Sequence, residues 1–319
     1  MKTSDFDYAL PAELIAQQPL PDRAASRMMV VERATGTIHH EQFRNLDQYL
    51  RAGDLLVLNN TKVIPARIWS ESPVVELLLV ERLGDSRWSA LVKPGQRAKP
   101  GSTLTFTGGL TARVEGETEF GGRVLQFTGD VDAYLNRFGA APLPPYIKHP
   151  VRDDADLARY QTVFAEHAGA IAAPTAGLHF TPEMLATMPH AFVTLHVGIG
   201  TFRPVKVENI EEHKMHAEKF TIPSETRAAI RQAQRVVAVG TTVVRALEST
   251  SEGTTDIFIR PPFEFRVVDA LLTNFHLPRS TLLMLVSACA GRELILRAYE
   301  EAVRERYRFF SYGDCMLVV

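Results

Sequence analysis

Apolar and polar positions follow two different textures along this chain. From about Ile68 to Gly129 the apolar positions fall in short runs: Val74–Val80, Trp88–Val92, Thr103–Thr107, Ala112–Glu115 and Arg123–Phe127. Pro94-Gly95, Gly108-Gly109 and Gly121-Gly122 separate them. Short strands punctuated by glycine turns predict a small antiparallel β-barrel or sandwich. On either side of this stretch the apolar runs are continuous and alternate with helical patterns. Leu55–Leu58, which ends at the turn formers Asn59-Asn60, reads as a buried strand, as do Phe192–Val197, Val236–Val239, Ile257–Ile259, Val267–Leu272 and Met316–Val319. Helices are predicted from Ser224, as a cap, to about Gln234, from Gly240 to Ser249, over Ser280–Ala290 and over 292–307. The last carries Leu294, Ile295, Ala298, Tyr299, Ala302 and Val303 on one stripe.

The expected fold class is therefore α/β. A discontinuous α/β main domain, built from 1–67 and 142–319, carries a small inserted antiparallel β-barrel domain at 68–141. Ala141-Pro142-Leu143-Pro144-Pro145 reads as a stiff extended connector leaving the inserted unit.

Composition narrows the function class. With 45% hydrophobic and 23% charged residues, the 319-residue chain can bury a proper core, which excludes disordered and fibrous classes. A net charge of -2, from 35 basic and 37 acidic side chains, excludes a globally basic nucleic-acid binder. RNA contact would have to rest on a local cluster of Lys and Arg. Cys289 and Cys315 form no CxxC motif, which argues against a disulfide framework or thiolate zinc site. Asp5, Asp7 and Pro11 stand where a signal peptide needs an apolar run, and the apolar stretch Leu282–Ala290 is far short of the ~20 residues that span a bilayer. A soluble cytoplasmic protein without membrane contact is expected.

Polar loops, three of them glycine-bearing, follow apolar strands four times in the C-terminal half. Ala170–Ala173 leads to Thr175, Gly177 and His179; Phe192–Val197 contains His196 and leads to Gly198 and Gly200. Val236–Val239 leads to Gly240, Thr241 and Thr242, ahead of Arg245 and Glu248; Val267–Leu272 leads to Asn274 and His276, then Arg279. Ligands of α/β folds bind outside the carboxyl ends of strands. Gly240-Thr241-Thr242, between strand and helix, is the loop best suited to an anionic group. None of these loops is a dinucleotide fingerprint, because Arg203-Pro204 stands where Gly198-Ile199-Gly200 would need a third glycine, and there is no Walker A sequence. His213, His216 and Glu218 are close in sequence, but His213-x-x-His216 is loose for a helical zinc pair, so no metal is expected. Plainer readings stand beside these: His196 as a buried structural histidine, Arg245 and Glu248 as a surface pair at i, i+3, Asn274 as a turn former.

Eleven segments carry a resemblance that spans nearly the whole chain. They are DFDYALPAELIAQQPLPDRAASRMMV (Asp5–Val30), NNTKVIPAR (Asn59–Arg67), LVKPG (Leu91–Gly95), PLPPYIKHP (Pro142–Pro150), RYQTVFA (Arg159–Ala165), AAPTAGLHFT (Ala172–Thr181), VTLHVGIGTFRPV (Val193–Val205), HKMHAE (His213–Glu218), VGTTVVRALES (Val239–Ser249), LLTNFHLPRSTLLMLVSACAG (Leu271–Gly291) and YRFFSYGD (Tyr307–Asp314). In these residues the chain resembles the S-adenosylmethionine:tRNA ribosyltransferase-isomerase family of queuosine biosynthesis.

The resemblance implies transfer and isomerisation of the ribosyl part of S-adenosylmethionine onto 7-aminomethyl-7-deazaguanine at the tRNA wobble position. Epoxyqueuosine forms, and adenine and methionine leave. It implies no metal or redox cofactor, S-adenosylmethionine as co-substrate and tRNA as partner; a monomer is the expected state. Such chemistry asks for a base beside the carbon next to the sulfonium, an acceptor for a proton of the attacking amine, and a donor to departing adenine. His179, His196, His216, Glu248 and His276 are the acid/base candidates, with roles unassigned. Thr175, Gly177, Gly198, Gly200, Gly240, Thr241, Thr242, Arg245, Asn274 and Arg279 are candidate substrate contacts, the two arginines suiting a carboxylate or phosphate. Lys62, Arg67 and Lys148 are candidates for the tRNA backbone. The competing functions are a catalytically inactive tRNA-binding relative of the same fold and, more remotely, a metal hydrolase. Two departures from the family pattern touch no candidate residue: a shortened segment between Thr181 and Phe192, and Pro261-Pro262 where Pro-Gly is usual.

Overall fold

The continuous apolar runs become the centre of a nine-stranded mixed sheet. In spatial order its strands are Thr254–Thr255, Glu218–Thr221, His190–Leu195, Asp54–Asn59, Arg235–Val239, Ala270–Asn274, Cys315–Val318, Arg27–Glu32 and Thr37–Gln42. The four from His190–Leu195 to Ala270–Asn274 are parallel, so their carboxyl ends share one edge. Cys315–Val318 runs antiparallel to Ala270–Asn274, and Arg27–Glu32 runs parallel to Cys315–Val318, so both enter the sheet from that same edge. The computed structural model describes residues 1–118, 121–148, 154–198 and 205–319.

Both faces of this sheet are covered, which is why its central strands read as unbroken apolar runs. On one face Leu55, Val57, Val236, Ala238 and Leu271 pack in a core with residues of the helices Thr241–Leu247, Thr281–Ala290 and Arg292–Arg304. On the other, Leu56, Leu58, Val237, Val239 and Leu272 meet Phe43 and Leu46 of a 3₁₀ helix and Leu185 of the six-residue helix Pro182–Thr187. Each fully buried Leu or Val contributes about 1.5–3 kcal/mol relative to exposure.

The alternating runs form a second, wholly antiparallel sheet in the order Arg67–Trp69, Glu76–Arg82, Arg87–Lys93, Arg123–Phe127, Thr111–Glu117, Thr103–Thr105. Every second side chain points inward: Leu77, Leu79, Trp88, Ala90, Val114 and Leu125 form its core, closed by Tyr134 and Leu135 of the helix Val131–Phe138. The sheet curls until its two edges nearly meet, with Glu71 N–H donating to Thr105 O at 2.7 Å.

Several local expectations shift. Ser224 does not cap its helix: Pro223 takes the capping position and Ser224 Oγ turns to Glu225. Ile257–Ile259 is not a strand: the edge strand is Thr254–Thr255, and the Ile257 carbonyl accepts from Arg245 at 3.4 Å. The segment from Ala141 to Pro144 is not a free connector but is buried, Ala141 and Leu143 packing with Tyr160 and Tyr312.

Candidate active site

Three of the four polar loops, those of His179, Gly240 and Asn274, meet along the shared sheet edge, and the one after His196 lies at a separate opening. Asn274 ends its strand with Nδ2 donating to Phe310 O at 2.9 Å, which turns Oδ1 toward His179 Nε2 at 3.3 Å. His179 sits on the 3₁₀ turn Thr175–His179, and its Nδ1 lies 2.9 Å from Ser26 Oγ. Since Asn274 Oδ1 can only accept, Nε2 carries the proton and Nδ1 accepts from the Ser26 hydroxyl. Burial lowers His179 to about 4, against a smaller opposing effect of Asn274 and with the positive charges of Arg23 and Arg308 acting in the same sense as burial. The result is a neutral, doubly anchored imidazole in a Ser26–His179–Asn274 chain. A narrow pocket of about 20 Å³ opens beside it, with Arg23, Ser26, Arg159, Ser311 and Tyr312 in its wall.

Gly240 adjoins the same turn. Its φ of +96° is a conformation that side chains resist, and a Cβ there would lie 3.7 Å from Ala176 Cβ. Gly177 is small for a different reason: a Cβ would come within 2.7 Å of Phe164 Cζ, so packing rather than a ligand demands glycine. Thr241 is buried; Thr175 and Thr242 are half-buried.

A second, wider opening lies at the margin of the sheet. His196 follows its strand and places Nδ1 2.8 Å from Thr61 Oγ1. It borders a cleft of about 520 Å³ with Thr194, Lys219, Phe220, Thr221, Glu252, Gly253 and Thr254. Burial lowers its pKa, helped by the nearby charges of His167 and Lys219. Asn59 and Asn60 brace this corner: Asn59 Oδ1 accepts from the Thr61 and Leu195 amides, and Thr194 Oγ1 donates to Asn60 Oδ1 at 2.7 Å.

Other candidate side chains have partners inside the fold. Arg245 is not in a surface pair with Glu248 but in a buried ion pair with Glu218, whose other oxygen accepts from Gly198 N–H at 3.1 Å. Glu248 is buried and accepts three backbone N–H groups, from Arg266, Val267 and Val268. His276 bonds Thr273 Oγ1 at 2.9 Å, its backbone carbonyl accepts from Tyr8, and burial lowers it to about 3. Thr273 and Asn274 point to opposite faces of their strand, so His276 and His179 lie on opposite sides of the sheet. Arg279 ties the N-terminal segment through Asp7, and Arg67 is bound to Glu76 and the Leu143 carbonyl. His216 is half-buried close to His213, which itself packs on Phe258. Lys62 and Lys148 are exposed. Gly200 lies outside the described residues.

Ser26, Arg23, Arg159 and the Ser311–Tyr312 wall were absent from the sequence-based candidates, although each falls inside a segment quoted for the resemblance. Among the described residues no three His, Cys, Asp or Glu side chains gather as a metal site, and no helix is long and apolar enough to cross a membrane.

Fold and site together define a mixed α/β protein with a curled antiparallel sheet and a polar cleft at the carboxyl edge of its parallel strands. The model of the family described as queuosine biosynthesis protein matches residues 3–318, and the chain belongs to that family. It is 52% identical to the S-adenosylmethionine:tRNA ribosyltransferase-isomerase of Thermotoga maritima and 52% to that of Carboxydothermus hydrogenoformans, with all of each chain covered. The first alignment runs to 339 positions against 319 residues here, so this chain carries deletions relative to that protein. A crystal structure of S-adenosylmethionine tRNA ribosyltransferase from Thermotoga maritima superposes with a TM-score of 0.56 at 43% identity, covering 99% of this chain and 100% of that one.

Proposed function

We propose that this chain is an S-adenosylmethionine:tRNA ribosyltransferase-isomerase. It moves and isomerises the ribosyl group of the sulfonium co-substrate onto the aminomethyl-deazaguanine of the tRNA wobble position, with loss of adenine and methionine. The observation that carries this reading is end-to-end identity of about half to relatives bearing that name.

Within this reading the acid/base work falls to the Ser26–His179–Asn274 chain. A neutral imidazole at working pH accepts a proton through Ser26 Oγ while Asn274 holds its tautomer, and Ser26 opens on the pocket. His196, at the wider cleft, is the candidate on the RNA side. Exposed Lys62 and Lys148 meet the tRNA backbone, while Arg245, Glu248, His276, Arg279 and Arg67 act by holding the frame. Residues 68–141 serve as an inserted unit within a discontinuous main domain, and the enzyme works in the cytoplasm as a monomer with no cofactor beyond its co-substrate.

Incubation with S-adenosylmethionine and tRNA bearing the aminomethyl base releases adenine and methionine in equal amounts. Formation of S-adenosylhomocysteine would overturn the reading, as would tight tRNA binding with no adenine release.

A further inference from the structure

Three arginines from distant parts of the chain meet beside His179. Arg23 Nη1 donates to the Leu178 carbonyl at 3.1 Å, Arg159 Nη2 to the Leu20 carbonyl and Arg308 Nη2 to the Gln18 carbonyl. Backbone carbonyls fix their positions but do not neutralise their charge. Among the described residues none of the three forms an ion pair, whereas half-buried Arg235 and buried Arg245 each hold a carboxylate. Asp314 lies near Arg308 and its charge partly offsets the burial of that guanidinium, while its two oxygens accept from the backbone amides of Arg27 and Arg308; Arg23 and Arg159 have no such carboxylate among the described residues. Arg308 Nη1 is buried with no hydrogen-bond partner.

Such an arrangement is unfavourable by itself. Burial lowers the pKa of Arg23 and Arg308, and Arg159 adds like-charge repulsion on Arg23. Leu178 and Tyr312 bring a hydrophobic cluster to the pocket wall, so the charges face a low-dielectric surrounding on one side. An oxyanion entering here would meet preplaced N–H donors in place of water.

We propose that Arg23 and Arg159, backed by Arg308, form a slot for the carboxylate at the amino-acid end of the sulfonium co-substrate. This rests on the ribosyl-transfer reading above. The shape favours that source over a tRNA phosphate. The free space of about 20 Å³ holds little more than one water-sized group, so only the end of a ligand enters between the arginines. A phosphodiester would present only its two non-bridging oxygens here, whereas Ser26 and His179 in the same wall suit the rest of a co-substrate that continues from its carboxylate. The slot also explains the placement of the Ser26 hydroxyl: a co-substrate anchored by its carboxylate runs past Ser26 and His179 along the same wall.

The test compares S-adenosylmethionine with its decarboxylated analogue in adenine release at saturating tRNA, using wild type, Arg159→Met and Arg159→Lys. Wild type should prefer the carboxylate-bearing substrate in kcat/KM. Arg159→Met should lower kcat/KM for S-adenosylmethionine by about tenfold or more, as loss of a charge-assisted hydrogen bond does, and leave the analogue unaffected. Arg159→Lys should recover part of the preference. Because both substrates are assayed on one preparation, the ratio is independent of how much of a variant is folded. An unchanged ratio in Arg159→Met overturns the slot; an unchanged ratio with weaker tRNA binding and a shallower salt dependence identifies a phosphate site instead. Wild type that releases no adenine from S-adenosylmethionine overturns the ribosyl-transfer reading itself and the slot's ligand with it.

Discussion

His179 and His196 occupy the same sheet edge yet live in opposite surroundings. His179 is buried, has both ring nitrogens bonded, and faces a slot of about 20 Å³ among arginines. His196 is half-buried, bonds Thr61 through Nδ1, and borders a cleft of about 520 Å³ beside Lys219 and Glu252. Desolvation pushes both pKa values down, to about 4 in His179. The comparison teaches that burial, not residue type, sets the two histidines apart: one imidazole is fixed by partners at both nitrogens and held neutral, the other is half-buried at a wide opening.

The sharpest way to break this comparison is to remove each histidine in turn. His179→Ala should lower kcat by about 10²–10⁴-fold, the usual range for a lost acid/base group. Ser26→Ala should fall nearly as far, and the double variant no further, because the two act as one unit. Adenine release measures all three. A larger loss in His196→Ala than in His179→Ala would invert the assignment.

Next in size is the frame of the wider cleft. Glu218→Gln leaves Arg245 as a buried charge without its carboxylate and loosens the bond to Gly198 N–H. Removing one partner of a buried pair costs about 3–5 kcal/mol. Denaturant unfolding should show this as a lower midpoint, with the slope unchanged.

Acid sensitivity should follow the deep histidines rather than His196. His179 and His276 stay neutral in the folded chain down to about 4 and about 3, whereas 6.5 is the ordinary histidine value. Between these limits the unfolded chain binds more protons, so stability is full above about pH 6.5 and is lost as the pH falls toward 4 and then 3. Unfolding midpoints across this range should fall with pH, and His276→Asn should remove the part that extends lowest. For the same reason His179 adds no inflection near 6.5 to the kcat profile.

The smallest effect belongs to the cleft rim. Lys219 meets Glu81 of the curled sheet at 3.4 Å with both side chains exposed. Lys219→Ala should change stability by no more than about 0.5 kcal/mol; a larger shift would mean that this contact holds the two sheets in place.

Much of the architecture was legible because it is periodic. Unbroken runs such as Val236–Val239 announce a strand covered on both faces, and the alternation in Ala112–Glu115 announces one covered on a single face. What misled was chemistry at element ends: Ser224 looked like a cap, but Pro223 had already set the turn. Site residues were legible only as loops. Asn274 and His179 were singled out as polar residues after strands, while their third member, Ser26, precedes a strand and carries no local signal of its own. Arg245 looked like an anion contact since a sequence shows charge but not the carboxylate, Glu218, that folding brings to it.

By itself the chain's order of residues determined the central strands of the large sheet, the two kinds of sheet and the family, since these depend on local periodicity and on motif identity. Tertiary structure alone decided which arginines are spoken for and which are left facing a slot. That outcome depends on partners more than a hundred residues away, as Arg23 is from Leu178 and Arg159 is from Leu20, and on burial that no short window of sequence contains.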